Sequence, residues 1–183
     1  MTTRQTIKTP RLTLVGASVE MARAAASGDH STFAQSLDAH VPPDWPPPIM
    51  ADAQDKLVEM VEGSVSFASA LALYVVLREK HLLIGFVGFK GPPVDGRLDI
   101  GYALLDAHHG KGYATEAVRT LTQWAFLDKR VQRIVAETLP DLTASIRVIE
   151  KCDYTLVTNS TTGHGGEENV VQYEITRMQL EGM

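Results

Sequence analysis

Residues His109-Gly110-Lys111-Gly112-Tyr113-Ala114 combine two glycines, a cation and the start of an amphipathic run. The first N–H groups of an α-helix have no partner inside the helix and point along its axis. With the helix dipole they form an anion site wherever the backbone can be approached closely. Gly110 and Gly112 give that access and tolerate unusual backbone angles. Lys111 adds positive charge, and a diphosphate is the natural guest of such a turn. Other phosphate motifs fit poorly. A P-loop requires Gly-x-x-x-x-Gly-Lys-Ser/Thr, which the chain lacks. The dinucleotide fingerprint Gly-x-Gly-x-x-Gly fails at Thr115, and no strand carrying an acidic residue follows about 20 residues later. Taken alone, Gly-Lys-Gly is equally compatible with an ordinary strand–helix connection.

Other reactive side chains carry less. Cys152 is the only cysteine and lies on a helix of apolar periodicity, so it reads as a buried, inert thiol rather than a nucleophile. Adjacent side chains diverge, so His108-His109 without a third ligand does not make a metal site. Gly163-His164-Gly165-Gly166 resembles an esterase oxyanion loop, but no Gly-x-Ser-x-Gly elbow accompanies it. Val41 to Pro48 holds five prolines around Trp45. Proline excludes a helix interior there and fixes an extended loop. That loop is either a rigid connector or a substrate-facing wall with Trp45 as its aromatic contact.

The elements that must hold the turn are legible nearby. Leu71–Leu77 and Leu82–Phe89 are short apolar runs rich in β-branched residues, joined by a polar turn at Arg78-Glu79-Lys80-His81. Gly91 to Gly96 is a loop by composition, and Arg97 to Leu105 returns as a third strand of this meander. Ala114, Ala117, Val118, Leu121, Trp124 and Ala125 then form the apolar stripe of a helix. Val131–Thr138 reads as a strand, and Asp141 or Thr143 can cap a helix through Cys152. Tyr154–Val157 starts another strand, Thr158–Asn169 reads as a loop, and Val170–Arg177 as a final strand. Upstream, Leu12–Val15 reads as a strand, Ser18 as the cap of a helix over Glu20–Ser27, and Gly28 as its stop. Phe33 and Leu37 mark a short helix, and Asp52–Val61 another. The second half, strand-helix-strand-helix-strand, predicts parallel pairing with right-handed crossovers.

Bulk properties set limits. A chain of 183 residues favours one domain, and at that size roughly 70% of the unfolded surface can be buried. A net charge of −5 argues against a non-specific nucleic-acid binder and is compatible with a cationic substrate. A single cysteine forbids an internal disulfide and fits a reducing, cytoplasmic location. The first residues lack a signal-peptide pattern, and no stretch reaches the roughly 18 apolar residues of a membrane span.

Asp99-Ile100-Gly101-Tyr102-Ala103-Leu104, followed by Gly110-Lys111-Gly112-Tyr113-Ala114-Thr115-Glu116-Ala117, resembles the core signature of the GNAT acetyltransferase superfamily. Ala144 to Lys151 resembles the helix that follows in that family, and Thr9-Pro10-Arg11-Leu12-Thr13-Leu14 resembles the first strand of its RimJ/RimL-like branch. The resemblance runs from about Thr9 to Arg177, with its specific part between Asp99 and Tyr154. It implies an α/β (α+β mixed) GNAT fold, a central twisted mixed antiparallel/parallel sheet flanked by helices, as one domain with its core over 9–177.

The function implied is acetyl transfer from acetyl-CoA to a primary amine, a small molecule or a peptide N-terminus, by direct attack in a ternary complex. No metal, nucleic acid or membrane takes part, and a homodimer is left open. A non-catalytic acyl-CoA sensor on the same fold is the alternative. The cofactor segment would be Leu104, Leu105, His109, Gly110, Lys111, Gly112, Tyr113, Ala114 and Thr115, with an oxyanion donor at the Leu104 or Leu105 amide. Ser145 would touch the cofactor and protonate the leaving thiolate; a tyrosine used elsewhere in the family is Ile149 here. Asp99 is the candidate base, with Glu137, Glu167 and Glu168 as alternatives. Trp45 and Tyr102 would face the acceptor. Three positions depart from the family pattern. His109 replaces Arg or Gln and makes the loop's charge pH-dependent. Leu142 replaces an Asn. Asp153 replaces a Gly and must adopt whatever backbone geometry that glycine supplies.

Overall fold

In a computed structural model of the chain, residues 5–51, 53–63, 72–161 and 169–182 are described. They gather into two compact units, one built from residues 1–88 and 102–117, the other from 89–101 and 118–183.

In the first unit, β1 (Thr6–Lys8), β2 (Leu12–Gly16), β3 (Ala72–Leu77) and β4 (Leu82–Phe89) lie in that order, all antiparallel. Every residue of β3 is buried, which is why its sequence is an unbroken apolar run without alternation. Val75 pairs with Gly85 and Val76 with Leu83, so Ile84 is an extra residue on β4. Such a bulge bends its strand and raises the local twist. The helices are α1 (Val19–Ser27), α2 (His30–Leu37), α3 (Pro48–Ala51) and α4 (Gln54–Glu62). As expected, Ser18 caps α1, its Oγ accepting the Met21 N–H at 3.1 Å, and Gly28 ends it at φ 73°.

Met21, Phe33, Leu37, Leu57 and Tyr74 centre the core of this unit, and Trp45 is buried with them. Its ring lies 6.0 Å from Tyr74 and 6.2 Å from Phe33. The proline loop carries an aromatic ring into the core, where the ring packs on Phe33 and Tyr74. The acceptor-facing reading of Trp45 finds no exposed ring, because apolar burial holds the indole at 5% exposure.

The second unit contains the first part of β5 (Arg97–Leu104), then β6 (Arg133–Thr138), β7 (Thr155–Thr161) and β8 (Val170–Thr176). β5 and β6 pair in parallel, from Arg97↔Arg133 to Ile100↔Ala136. The expected parallel series stops there. β8 pairs antiparallel with β6 and with β7, so the last strand enters between the two that precede it. Thr158–Thr161, expected as loop, extends β7, because β8 supplies the partner that its polar sequence does not advertise.

The remaining helices are α5 (Tyr113–Ala125), α6 (Thr143–Lys151) and α7 (Arg177–Glu181). On α5 the predicted stripe is realised: Ala117, Val118, Leu121 and Ala125 are buried. Thr122 joins them, satisfied by a 2.8 Å bond with the Tyr154 hydroxyl. α7 was masked in sequence by the strand pattern before it. Its signal is a capping box, with Thr176 and Gln179 satisfying each other's backbone. Among the described residues no helix is long and apolar enough to cross a membrane.

Candidate active site

β5 delivers the chain to a short 3₁₀ turn, Asp106–His108, and then to the four residues before α5. Gly110 and Gly112 sit in the left-handed region at φ 71° and 78°, with Lys111 between them outside it. Left-handed residues of this kind are one ingredient of the backbone nests that bind anions. The first helical bond of α5 is Glu116 N–H to Gly112 carbonyl at 3.1 Å. The amides of Gly112, Tyr113 and Ala114 therefore precede the intrahelical ladder and have no partner within the helix. Lys111 Nζ donates to the Ala107 carbonyl at 2.7 Å, which holds the ammonium against the turn.

His109 Nε2 lies 2.9 Å from the Leu104 carbonyl, which can only accept, so Nε2 carries the ring proton. The side chain that replaces the family's Arg or Gln thus closes the turn onto the end of β5. Neighbouring His108 is only partly exposed, and its buried Nδ1 has no hydrogen-bond partner among the described residues. Desolvation, and then the Lys111 charge, hold its pKa below the ordinary histidine value. Among the described residues no His, Cys, Asp or Glu cluster suited to a metal occurs.

One part of this site was missed in the sequence. Arg11, at the start of the first strand pair, reaches the loop from 100 positions away in the chain. Its Nη1 donates to the Lys111 carbonyl at 2.9 Å, its Nε to Glu116 Oε2 at 2.7 Å, and its guanidinium carbon lies 4.6 Å over the Tyr113 ring. Glu116 also accepts from the Thr9 hydroxyl and the Arg11 N–H. Burial raises the Glu116 pKa, but the bonds from Thr9 and Arg11 outweigh it and hold the carboxyl below its usual range. Two signals were visible, an Arg after Thr-Pro and a Glu in the first helical turn; nothing local joined them.

Of the two candidate oxyanion amides, one is already engaged. Leu105 N–H donates to the Ile84 carbonyl at 2.9 Å and is committed to β4. Consecutive strand amides point to opposite edges, so Leu104 N–H faces away from β4. Gly85 is what lets β4 approach here. A Cβ on it would lie 2.3 Å from Leu104 Cδ2 and 2.4 Å from the Ala103 carbonyl oxygen. Tyr102, half-buried on β5, and Thr115, in the first turn of α5, complete the expected residues of this unit.

Asp99 and Ser145 belong to the second unit. Asp99 is gripped by Arg97, Nε to Oδ2 at 3.0 Å and Nη2 to Oδ1 at 2.5 Å. Arg97 also approaches Glu137 at 3.4 Å, and Glu137 receives Lys90 at 3.3 Å and Gln172 at 2.9 Å. Asp99 and Glu137 are therefore members of one charge network. To accept a proton, Asp99 must share an oxygen that the guanidinium holds. Glu167, Glu168 and the Gly163–Gly166 run lie outside the described residues.

Ser145 is half-buried in the first turn of α6. That helix lacks the side-chain cap expected from Asp141 or Thr143, because its N-cap position falls on exposed Leu142. We expect Leu142→Asn to stabilise the protein by about 1 kcal/mol by supplying that cap. Thermal unfolding checks this, and an unchanged or lower midpoint would remove the capping account. Asp153 does adopt the left-handed conformation of the glycine it replaces, at φ 69°. The Cys152 thiol is buried, and desolvation pushes its pKa up to about 11, as an inert core thiol requires.

A family model described as an acetyltransferase (GNAT) domain matches residues 11–155. The chain is similar to the uncharacterized N-acetyltransferase YjdG of Bacillus subtilis (strain 168), 29% identical over 154 residues, 82% of this chain and 89% of that one. Among solved structures it is similar to RimL, a ribosomal L7/L12 alpha-N-protein acetyltransferase in complex with coenzyme A, with TM-score 0.66 and 19% identity, covering 96% and 99% of the two chains. It is also similar to AAC(6')-Ib in complex with paromomycin and acetyl-CoA, with TM-score 0.62 and 21% identity, covering 93% and 96%. At these identities the structures establish the fold, and the family match covers most of the chain. The chain belongs to the GNAT acetyltransferase family and is an N-acetyltransferase.

Proposed function

We propose that the protein transfers the acetyl group of acetyl-CoA to a primary amine, a peptide N-terminus or a small molecule, by direct attack within a ternary complex in a single acetyltransferase domain. The observation that carries this reading is the turn from Leu104 to Glu116. Two left-handed glycines lead into helix-start amides that have no partner within the helix, and Lys111 adds charge beside them. These groups bind the diphosphate. The Leu104 N–H stabilises the oxyanion as the amine attacks. Ser145 protonates the departing thiolate, and Asp99 is the candidate group that receives the amine's proton. Similarity to a protein N-terminal acetyltransferase and to an antibiotic-binding one supports both acceptor classes. The net charge of −5 favours cationic acceptors.

Release of free thiol from acetyl-CoA across a panel of amines and peptide N-termini tests the reading. Binding of acetyl-CoA without turnover on any acceptor would favour the sensor. Ser145→Ala should lower turnover by about 10²-fold, the low end for general acid catalysis, with little change in acetyl-CoA affinity. Unchanged turnover would remove Ser145 from the proton-donor role.

A further inference from the structure

We propose that Arg11 is a positioning residue for the diphosphate, acting from behind the loop. The inference rests on the reading of the Gly110–Ala114 turn as the diphosphate site. In a trans peptide the carbonyl of one residue and the N–H of the next point in opposite directions. Arg11 Nη1 holds the Lys111 carbonyl at 2.9 Å. The Gly112 N–H, on the same peptide plane, is therefore turned away from Arg11, toward the side where the anion sits. Gly112 at φ 78° allows this orientation, and Arg11 selects it among those a glycine permits.

The guanidinium is itself held. Its Nε is fixed on Glu116 Oε2 at 2.7 Å, and its Cζ lies 4.6 Å over the Tyr113 ring. Glu116 in turn is anchored by Thr9 and by the Arg11 amide. The chain Thr9–Glu116–Arg11–Lys111 carbonyl thus ties the first strand pair to the direction of one anion-binding amide. Lysine cannot replace this arrangement, since one ammonium lacks the planar fork that serves a carboxylate and a carbonyl at once. Arg11 on this account contributes orientation, and its positive charge, already spent on Glu116, contributes little to the anion.

The test compares acetyl-CoA with acetyl-pantetheine, which lacks the diphosphate, in wild type, Arg11→Ala and Arg11→Lys. Wild type should prefer acetyl-CoA strongly in kcat/KM. Both variants should raise the KM for acetyl-CoA by about 10- to 100-fold, the range for losing a charge-assisted hydrogen bond, with kcat nearly retained. Their kcat/KM for acetyl-pantetheine should stay near wild type, and the salt dependence of acetyl-CoA affinity should keep its slope. An equal loss on both substrates would overturn the proposal and make Arg11 merely structural. Full retention by Arg11→Lys, with a salt slope that flattens only in Arg11→Ala, would overturn it in favour of direct charge contact. If wild type itself does not distinguish the two substrates, the diphosphate reading fails instead.

Discussion

Gly112→Val should abolish measurable acetyl-CoA binding while leaving the fold in place. Gly112 sits at φ 78°, a conformation that costs an L-residue roughly 1–2 kcal/mol and is a genuine outlier for a β-branched one. Valine would relieve that strain by rotating the Lys111–Gly112 and Gly112–Tyr113 peptide planes. Those planes carry two of the amides proposed to face the diphosphate, so on that reading strain relief and binding are in direct conflict. A side chain would also enter the space beside Arg11, whose Nη2 lies 3.4 Å from where a Cβ would stand. Gly112 is exposed, so the damage stays local. Thermal unfolding with and without acetyl-CoA gives the readout. At a hundredfold excess over the dissociation constant, ligand should add about 2.7 kcal/mol to wild type and nothing to the variant. Normal affinity in Gly112→Val would sink the diphosphate assignment.

Gly85→Ala should be the most damaging single-methyl change for stability. The added Cβ would lie 2.4 Å from the Ala103 carbonyl oxygen and 2.3 Å from Leu104 Cδ2. The first is backbone in the middle of a sheet and cannot swing aside as a side-chain tip can. Overpacking of this kind costs about 3 kcal/mol or more, which for a chain of this size lowers the melting midpoint by roughly 6–12 °C. The residue that must shift also carries the proposed oxyanion amide, so turnover should fall along with stability. Gly101→Ala is the control: among the described residues a Cβ there meets nothing within 4 Å, and its φ lies outside the left-handed range. It should change stability by no more than about 0.5 kcal/mol. Equal midpoints for the two variants would show that the close approach at Gly85 does not matter.

What could be read in advance follows the range of the forces involved. The α1 cap at Ser18, its Gly28 stop, β4 and the stripe of α5 depend on neighbours within a few residues, and each stands where the residues placed it. The two glycines before α5 were legible for the same reason, since a left-handed turn needs glycine whatever surrounds it. Asp153 is the informative exception. Its side chain stands in a left-handed position that only the comparison with a family glycine brought to notice.

By itself, then, the sequence determined the local chemistry of this protein: where helices begin, where the backbone must turn left, and which turn places glycines and a lysine before a helix. Tertiary structure decided how those pieces are used. It buried Trp45 in the core by packing it on Phe33 and Tyr74. It set β8 between β6 and β7, and so turned a polar stretch into strand. It committed the Leu105 amide to Ile84, which leaves the Leu104 amide as the one proposed for the oxyanion. It brought Arg11 and Glu116, 105 positions apart, into one clamp behind the Gly-Lys-Gly turn. Each of these depends on a partner far away in the chain, and pairing of that kind leaves no periodicity or spacing for a reader of neighbouring residues to find.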